Sequence, residues 1–598
     1  MRRGYVDRWS DIEKCKNLLF FAQAVDEMIF DYSIPSHRLP TLNSHYLCLD
    51  AMSTINDIDE HGVPDGTLRP IVEELYYTLE SDPAFAQDDS PLKYFVKEQN
   101  GRYVRVYNPN DLNYAERRNI VLSLYKKCFS QNSYFEKLKK EIIEIIVRNE
   151  ECDQPALFLL TKSLITELVN AGYDQRYIRD TLIYNFFNKR TEVSSSSQIE
   201  DFLSVFSFEK KKFSVTMIAD QNLSDILSDI EDVKIENRVR ARTKIQEEAA
   251  FLVKSENEKY FVFEEAKALD PYSAARIIEM SVNFRLSLYR LYDHDFDLPV
   301  EKSKVIVYDE TNYYTIITKQ KSAVRRRRKP KVTTIQKKME LTEQALDSKS
   351  NAILLLLASN LHNLSLKSSS EENQILDLWA IIESILDISQ EHTSDRINQV
   401  CTNLVPIIKR NYLYSIFEQL LLDIKNYDEA EYNHIVGEEE SEIQKVILLA
   451  KFISDDDENS RCNTWLKRCT DFPLIKYRIQ NYNSILKTRG GLSKYIEKHS
   501  QRVRWQIMRA YRNRNLIIHN GETMPYTSLL VENLHVYVDI LLEHVILEFA
   551  HGHNMCSMRQ ELFAAECEWN EKIEKKNASL PLDDDFLKYC VRRSKSAA

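Results

Sequence analysis

The sequence predicts a mainly α-helical protein with a small α+β module in its middle. Apolar residues recur at three- and four-residue spacing through most of residues 1–190 and again through 348–560, which is the pattern of amphipathic helices. Only 10 of the 598 residues are glycine, so few positions suit the tight turns of all-β folds. A chain of this length exceeds one hydrophobic core, and we expect several domains.

Residues 1–190 are expected to form a mainly helical N-terminal domain. Ser10 and Asp11 are candidate N-terminal caps for its first helix. The polar, serine-rich stretch 191–197 then predicts a linker. Further helices of this domain are predicted at 112–130, 134–150, 155–172 and 175–188.

One part of the N-terminal domain departs from the helical pattern. The dipeptide Asn100-Gly101 separates two runs of alternating polar and apolar residues. Asn-Gly is typical of the two-residue type I′ turn, because both residues tolerate a positive φ angle. The segments 94–98 and 102–107 are therefore predicted to be the paired strands of a hairpin.

Residues 200–320 predict the α+β module. Asp270 and Ser273 are placed to open a helix whose apolar residues continue through the following four turns. Short runs of alternating β-branched and aromatic residues surround this helix in the sequence. The predicted strands are 213–219, 259–264, 304–309 and 313–319.

Residues 321–347 are expected to be a basic linker. Arg325, Arg326, Arg327 and Arg328 are followed by Lys-Pro-Lys, which makes this the densest cationic run of the chain. Such a run contacts nucleic-acid phosphates, serves as a nuclear-import signal, or forms a solvated linker that its own charges extend. The linker is the preferred interpretation, and it is compatible with phosphate binding.

Residues 348–560 predict a C-terminal helical domain, and 561–598 predict a loosely held tail. The spacing of apolar residues in this domain defines eight helices. They are expected at 350–365, 371–388, 394–407, 411–426, 439–453, 475–486, 492–519 and 526–550.

Composition argues against several classes of function. The chain has no glycine-rich phosphate-binding motif and no Cys-x-x-Cys pair, so we expect neither a nucleotide cofactor nor a metal. The pattern His551-x-His553-x-x-Cys556 is interpreted as a polar turn, because no fourth ligand stands at a standard spacing. The formal net charge of −11 disfavours nonspecific coating of nucleic acid. No apolar run is long enough to span a membrane, and a cytoplasmic location without membrane contact is expected.

The segment 501–522 carries the chemistry that the sequence makes visible. It is strongly cationic within an acidic protein, and Asn520-Gly521 is a typical helix stop, so His519 should lie in the last helical turn. A candidate ribonuclease motif, Arg514-Asn515-x3-His519, precedes that stop. Imidazole can exchange protons with the reacting oxygens of RNA, and a guanidinium can hold the phosphate while charge develops.

Helical spacing constrains how this motif can assemble. Asn515 and His519 are four residues apart and share a helix face. Arg514 and His519 are five apart, roughly 140° around the axis at 3.6 residues per turn. Arg514 must therefore reach the same pocket with its long side chain or through a bend, or else meet the histidine of a second copy across a two-fold axis.

This motif and its surroundings resemble the HEPN ribonuclease family, in particular its Apea-like branch. The stretch 374–389, with Trp379 and Glu383, is similar to the first core helix of that branch, and 394–412 to the segment that follows. The sequence NLIIHNG (515–521) is similar to the surroundings of the family motif. The resemblance covers roughly 260–560.

The resemblance implies a C-terminal HEPN helical bundle that cuts RNA without metal or other cofactor. In this family two motifs from paired domains compose one active site, so a homo-oligomer, at least a dimer, is implied. It further implies an acidic residue on the early helix near the motif, for which Glu383 is the candidate. Many relatives act in antiphage or toxin–antitoxin systems. The resemblance therefore implies that residues 1–190 are a sensor or regulatory domain, which responds to a phage-derived trigger or a regulatory partner.

We therefore predict an endoribonuclease that cuts tRNA or other cellular RNA as an antiphage effector. His519 is expected to be the general acid or base, Arg514 to clamp the phosphate, and Asn515 to orient the motif. Further arginines are expected to bind RNA phosphates: Arg502, Arg509, Arg512, Arg325, Arg326, Arg327 and Arg328.

Two alternatives belong to other classes. One is a catalytically inactive HEPN scaffold that binds RNA or a partner protein. The other is a nucleic-acid-binding regulator that acts through the basic run. A bare Arg-x4–6-His spacing is weak evidence, because Arg38 and His45 match it too, and Arg512 with His519 also fits. The choice of Arg514 depends on the adjacent Asn515.

Overall fold

A computed structural model gives the fold of most of the chain. It describes residues 3–30, 33, 37–85, 90–99, 102–188, 192–227, 233–237, 253–296, 304–308, 314–317, 332–346, 349–368, 370–386, 393–439, 441–455, 457, 460–573 and 577–594.

The protein is mainly α-helical, as predicted, with a small antiparallel sheet. Its residues form two compact units. The first unit contains 1–164, 194–196 and 323–598, and the second contains 165–193 and 197–322. Within the described ranges, no helix has both the length and the apolar character needed to span a lipid bilayer.

The N-terminal region is helical, with one hairpin. The first helix begins at Lys16, so the predicted caps Ser10 and Asp11 are wrong. Cys15 stands at its N-terminal cap without a side-chain hydrogen bond, while Asp11 accepts the backbone N–H of Lys14 in a preceding turn. The helices are α1 (Lys16–Met28), α2 (Ser44–His61), α3 (Leu68–Glu80), α4 (Tyr114–Leu124), α5 (Ser133–Arg148), α6 (Gln154–Ala171) and α7 (Gln175–Leu182).

The predicted hairpin is confirmed. Strands β1 (Val96–Gln99) and β2 (Arg102–Arg105) pair antiparallel, with Gln99 opposite Arg102. This register leaves two residues between the strands, as expected for the Asn-Gly turn. Asn100 and Gly101 themselves lie outside the described residues.

The second unit is built on a five-stranded antiparallel sheet with the order β4-β5-β3-β6-β7. Asp270 accepts the backbone N–H groups of Tyr272 and Ser273 and so caps the long helix α10, as predicted. Apolar residues of that helix, among them Ile278 and Val282, pack against the sheet. Strand β4 was not predicted. The elements are α8 (Gln198–Ser204), β3 (Lys211–Asp220), α9 (Leu223–Leu227), β4 (Val233–Glu236), β5 (Glu258–Ala268), α10 (Pro271–Arg290), β6 (Lys304–Tyr308) and β7 (Tyr314–Ile317).

The C-terminal region is helical throughout its described parts. The helices are α11 (Val332–Ala345), α12 (Lys349–Lys367), α13 (Glu371–Leu386), α14 (Thr393–Tyr427), α15 (Glu429–Val436), α16 (Glu442–Ser454), α17 (Arg461–Arg468), α18 (Pro473–Leu486), α19 (Arg489–Asn520), α20 (Thr527–Ala550), α21 (Met555–Lys572) and α22 (Asp584–Ser594).

Three expectations for this region are wrong. The two helices predicted between 394 and 426 form one, α14, which continues through Pro406. The helix α11 occupies much of the predicted basic linker. The tail is not loosely held, because α22 buries Phe586, Leu587 and Val591. The core of the first unit therefore extends almost to the C-terminus.

The N-terminal helices of the first unit pack directly on its C-terminal helices. Gln23 on α1 donates to the backbone carbonyl of Asp471. Nearby, Arg478 on α18 donates to both carboxylate oxygens of Glu27, at 2.7 and 2.9 Å, within the buried interior. Buried charges are stable only when paired in this way. These contacts join the ends of the chain into one core, on which the motif helix is mounted.

Candidate active site at the end of helix α19

Helix α19 carries the Arg-Asn-x3-His motif in its last two turns. The helix ends at Asn520, and Gly521 follows with φ of 68° in the left-handed region. The N–H of Gly521 donates to the carbonyl of Ile517. A glycine takes this conformation without a steric penalty, so the predicted helix stop is confirmed.

The structure brings Arg514, Asn515 and Glu383 together. The Nη1 of Arg514 donates to Oδ1 of Asn515 at 3.0 Å. The Nη2 of the same guanidinium lies 3.9 Å from Oε2 of Glu383 on α13. The Arg514 side chain is about one quarter exposed. Its guanidinium is therefore held by two neighbours and remains accessible from solvent.

Glu383 is itself fixed by its surroundings. Its Oε1 accepts the indole N–H of Trp379 at 2.8 Å, one helical turn earlier. The Trp379 side chain is buried and contacts the ring of Tyr511 at a centroid distance of 5.4 Å. Arg396 on α14 lies 3.4 Å from the same carboxylate oxygen. Glu383 thus faces two arginines, of which only Arg514 is predicted from the sequence.

His519 is exposed in the last turn of α19. Its neighbours Ile518 and Asn520 are exposed as well. No side chain of the described residues hydrogen-bonds or ion-pairs with the imidazole. Arg514 turns instead toward Glu383, as the five-residue spacing allows, and His519 is open to a ligand or to another molecule.

Two of the arginines expected to bind RNA are buried. Arg509 and Arg512 are 5% and 8% exposed and face α2 and α3. Arg509 pairs with Glu74, and Nη2 of Arg512 donates to Oδ1 of Asp50 at 2.7 Å. Burial alone would lower the pKa of each guanidinium. The neighbouring carboxylates have the larger effect, so the pKa values of both arginines are raised. Neither side chain is available to an RNA phosphate in this structure.

Asp50 is the centre of the contact that supports the motif helix. Besides Arg512, it accepts the hydroxyl of Tyr526 at 2.5 Å, and Tyr526 lies just after the end of α19. The same turn is fixed by Asn513, whose side chain donates to Thr527 at 2.9 Å and accepts from the backbone of Met524 at 3.2 Å. Helix α2 thereby positions both α19 and the turn that follows the motif.

The remaining predicted phosphate contacts divide into two groups. Arg502 is exposed on α19. Arg325, Arg326, Arg327 and Arg328 lie outside the described residues.

Of the histidine and cysteine pattern after α20, His553 forms ion pairs. The Nδ1 of His553 lies 2.7 Å from Glu548, and its Nε2 lies 3.4 Å from Glu561. The hydrogen bond to Glu548 raises the pKa of His553. One ligand atom from each of Glu548, His553 and Glu561 lies within 4.8 Å of the others, and the two carboxylates contact different nitrogens of the ring. This arrangement is a carboxylate–imidazole–carboxylate bridge.

Comparison of the chain with models of known protein families, with curated proteins and with solved structures finds no match.

Proposed function

We propose that the protein is a metal-independent endoribonuclease of the HEPN type, which cuts tRNA or other cellular RNA. The observation that carries the proposal is the juxtaposition at one helix end. Arg514 is hydrogen-bonded to Asn515 and lies 3.9 Å from Glu383, and the same helix exposes His519 five residues later. An imidazole can transfer protons and a guanidinium can stabilise phosphate charge, so these residue types can carry RNA cleavage without metal.

The reaction follows from their chemistry. A base removes the proton of the ribose 2′-OH, and the 2′-oxygen forms a bond to the adjacent phosphorus. The bond from phosphorus to the 5′-oxygen breaks, and an acid donates a proton to that oxygen. The products are a 2′,3′-cyclic phosphate and a 5′-hydroxyl. His519 serves as base or acid, and Arg514 stabilises the charge on the phosphate oxygens.

In this scheme Glu383 and Asn515 are positioning residues. Asn515 accepts a hydrogen bond from the Arg514 guanidinium, and Glu383 attracts it as an ion pair at 3.9 Å. Arg514 can therefore present its remaining donors to a phosphate with little loss of side-chain freedom. Preorganisation of this kind contributes because charge builds on the phosphate only during the reaction.

We further propose that two copies of the chain form the working site. One imidazole supplies either the base or the acid, while cleavage needs both. The five-residue spacing and the engagement of Arg514 by Glu383 favour His519 meeting the arginine of a second copy. Mixing Arg514→Ala protein with His519→Ala protein should then restore part of the activity, which neither variant has alone.

The antiphage role is proposed on the resemblance to the HEPN family. It predicts that induced expression arrests growth, and that arrest requires both Arg514 and His519. A trigger or regulatory partner acting on the cytoplasmic protein would control this activity. Arrest that persists in the His519→Ala variant would contradict it.

The direct test is cleavage of RNA by the purified protein in the presence of EDTA. Wild type should give fragments ending in 2′,3′-cyclic phosphate, and His519→Ala should give none while retaining its circular dichroism spectrum. His551→Ala is the matched control, because His551 is also an exposed histidine at a helix C-terminus. Cleavage by His519→Ala at the wild-type rate would overturn the proposal. RNA binding without products would identify the inactive scaffold instead.

A further inference from the structure

The β1–β2 hairpin of the first unit presents exposed aromatic residues in alternation with a cation. In its register Val96 stands opposite Arg105, and Glu98 stands opposite Tyr103. Opposed residues share a face of the sheet, and every second residue along a strand returns to that face. Tyr103 and Arg105 therefore lie on one side of β2, and Tyr107, just after the end of the strand, places its ring beside the Arg105 guanidinium. We call these three residues the hairpin platform.

The platform is exposed to a degree unusual for aromatic side chains. Tyr103 is 78% exposed and Tyr107 is 73% exposed, and Arg105 is exposed between them. The guanidinium carbon of Arg105 lies 5.3 Å from the ring centroid of Tyr107. Two residues along a strand span roughly 6.6 Å, so Arg105 stands between the Tyr103 position and the ring of Tyr107.

The opposite face anchors the hairpin, so this exposure is a fixed feature of the fold. Phe95 and Val106 are buried, and the N–H of Val106 donates to the carbonyl of Phe95 at 2.8 Å. The ring of Phe95 meets Tyr76 on α3 edge-to-face at 5.0 Å. The tyrosines of the platform are thus held away from the core.

Helix α3 connects the platform to the motif helix. Tyr77 stacks on Trp505 of α19 at 6.2 Å, and Glu73 accepts the Trp505 indole N–H at 3.2 Å. Trp505 precedes His519 by fourteen residues, which is roughly 21 Å of α-helix. The exposed Arg502 lies one turn before Trp505 on the same helix.

The local charge favours an anionic ligand. Residues 93–107 contain four cationic side chains and one acidic side chain, in a protein whose formal net charge is −11. The cationic residues are Lys93, Lys97, Arg102 and Arg105. Arg105 lies on the face of the platform, which also carries the acidic Glu98, whereas Lys97 and Arg102 lie on the other face of the hairpin. Exposed aromatic rings alternating with cations are how proteins bind single-stranded nucleic acid, because bases stack on the rings while cations contact the phosphates.

We propose that the hairpin platform binds single-stranded RNA, with bases stacked on Tyr103 and Tyr107 and the intervening phosphate on Arg105. This inference rests on the proposed ribonuclease function, since the platform would hold the strand that runs into the site at His519. A duplex keeps its bases stacked on one another and offers the tyrosines no free face. The substrate class is therefore RNA with an unpaired segment beside the cleaved bond.

The test measures binding in the His519→Ala background, so that RNA stays intact. The probe is a fluorescent single-stranded oligouridylate of about 12 nucleotides, read by anisotropy. Tyr103→Ala combined with Tyr107→Ala should raise Kd roughly thirtyfold or more, since two stacking contacts are lost. Tyr103→Phe combined with Tyr107→Phe keeps the rings and should bind as the parent does. Tyr292→Ala is the control, because Tyr292 is 92% exposed on the second unit.

Arg105→Gln tests the phosphate contact separately. It should reduce the slope of log Kd against log salt by about 0.7, the value for one phosphate of a single strand. Unchanged affinity of the double alanine variant for the oligouridylate would contradict RNA binding by the platform. If the variant loses as much affinity for a fully paired duplex or for polyglutamate as for the oligouridylate, the surface binds anions in general and the proposal is also contradicted.

These outcomes separate the two proposals. If wild type fails to cut RNA but the double alanine variant loses binding, the result supports RNA binding by the platform and contradicts the proposed nuclease function. If His519→Ala abolishes cleavage while the double alanine variant binds normally, the result supports the nuclease function and contradicts RNA binding by the platform.

Discussion

Replacing Asp50 by alanine is expected to destabilise the first unit by about 3–5 kcal/mol. The Asp50 side chain is 2% exposed and lies 2.7 Å from the guanidinium of Arg512. It also accepts the hydroxyl of Tyr526 at 2.5 Å. Its removal leaves the buried Arg512 without the carboxylate it contacts and the Tyr526 hydroxyl without its carboxylate acceptor. Breaking a buried pair from one side costs this much because the remaining charge is uncompensated.

The assay is urea unfolding followed by tryptophan fluorescence. All five tryptophans belong to the first unit, so the signal reports on that unit alone. They are Trp9, Trp379, Trp465, Trp505 and Trp569. The urea concentration at the midpoint of unfolding should fall sharply for Asp50→Ala. The slope of the unfolding free energy against urea concentration should stay unchanged. Asp50→Asn keeps an acceptor for Tyr526, so its free energy of unfolding should fall less than that of Asp50→Ala.

Asp59→Ala is the matched control. Asp59 on the same helix pairs with Arg118 at 3.3 Å, but both side chains are more than 40% exposed. Exposed pairs contribute about 1 kcal/mol or less, so this variant should stay close to wild type. A loss of less than about 1 kcal/mol for Asp50→Ala would refute the idea that this buried carboxylate holds the motif helix in place.

Two further predictions concern the site and the interior. Glu383→Gln should keep the Trp379 hydrogen bond but release the guanidinium of Arg514. RNA cleavage should then slow about tenfold to a hundredfold, while the stability change stays under about 1 kcal/mol, because the pair is partly exposed. At His37, burial and the adjacent Arg478 lower the pKa to about 4. The unfolded chain therefore binds this proton at higher pH than the folded one, and stability should fall by up to roughly 3 kcal/mol as pH drops from 6.5 to 4. His37→Gln should flatten part of that decline in urea midpoints.

Each of these has a clear contrary result. For Glu383→Gln, wild-type cleavage rates would show that Arg514 needs no anchor. For His37→Gln, a pH dependence as steep as that of wild type would assign the decline to other groups. Burial lowers the pKa of His499 to about 3 and that of His544 to about 4. These two residues therefore maintain part of the fall in stability with decreasing pH even in the His37→Gln variant.

Local patterns in the sequence were sufficient for most elements and for the helix stop at Gly521. They failed where packing overrides local preference. Pro406 removes one backbone hydrogen bond from α14, yet the helix continues, because Leu404 and Ile407 on either side are buried in the core. The short helices α15 and α17 were missed although their caps, Asp428 and Ser460, are visible in the sequence. Eight residues carry too little periodicity to outweigh their polar composition.

The site was predicted in part, because local patterns place residues on helices but do not identify their distant partners. Glu383 and Arg514 came together as expected, since each lies on a well-defined helix. The roles of Arg509 and Arg512 were missed because their partners, Glu74 and Asp50, are 435 and 462 residues away in sequence. No single-sequence pattern identifies pairs at such separation.

A signal for their burial nevertheless existed. Trp505, Arg509 and Arg512 follow one another at spacings of four and three, so they form a single stripe along α19. A tryptophan on that stripe marks a packed face, and arginines sharing it need carboxylate partners more than phosphates. Arg514 falls about 200° further round from Arg512, on the side of α13 and Glu383. The helix is thus held on one side by the N-terminal helices and directs Arg514 to the other side. That division explains how a cationic segment can hold two buried ion pairs and still keep the guanidinium of Arg514 accessible to solvent.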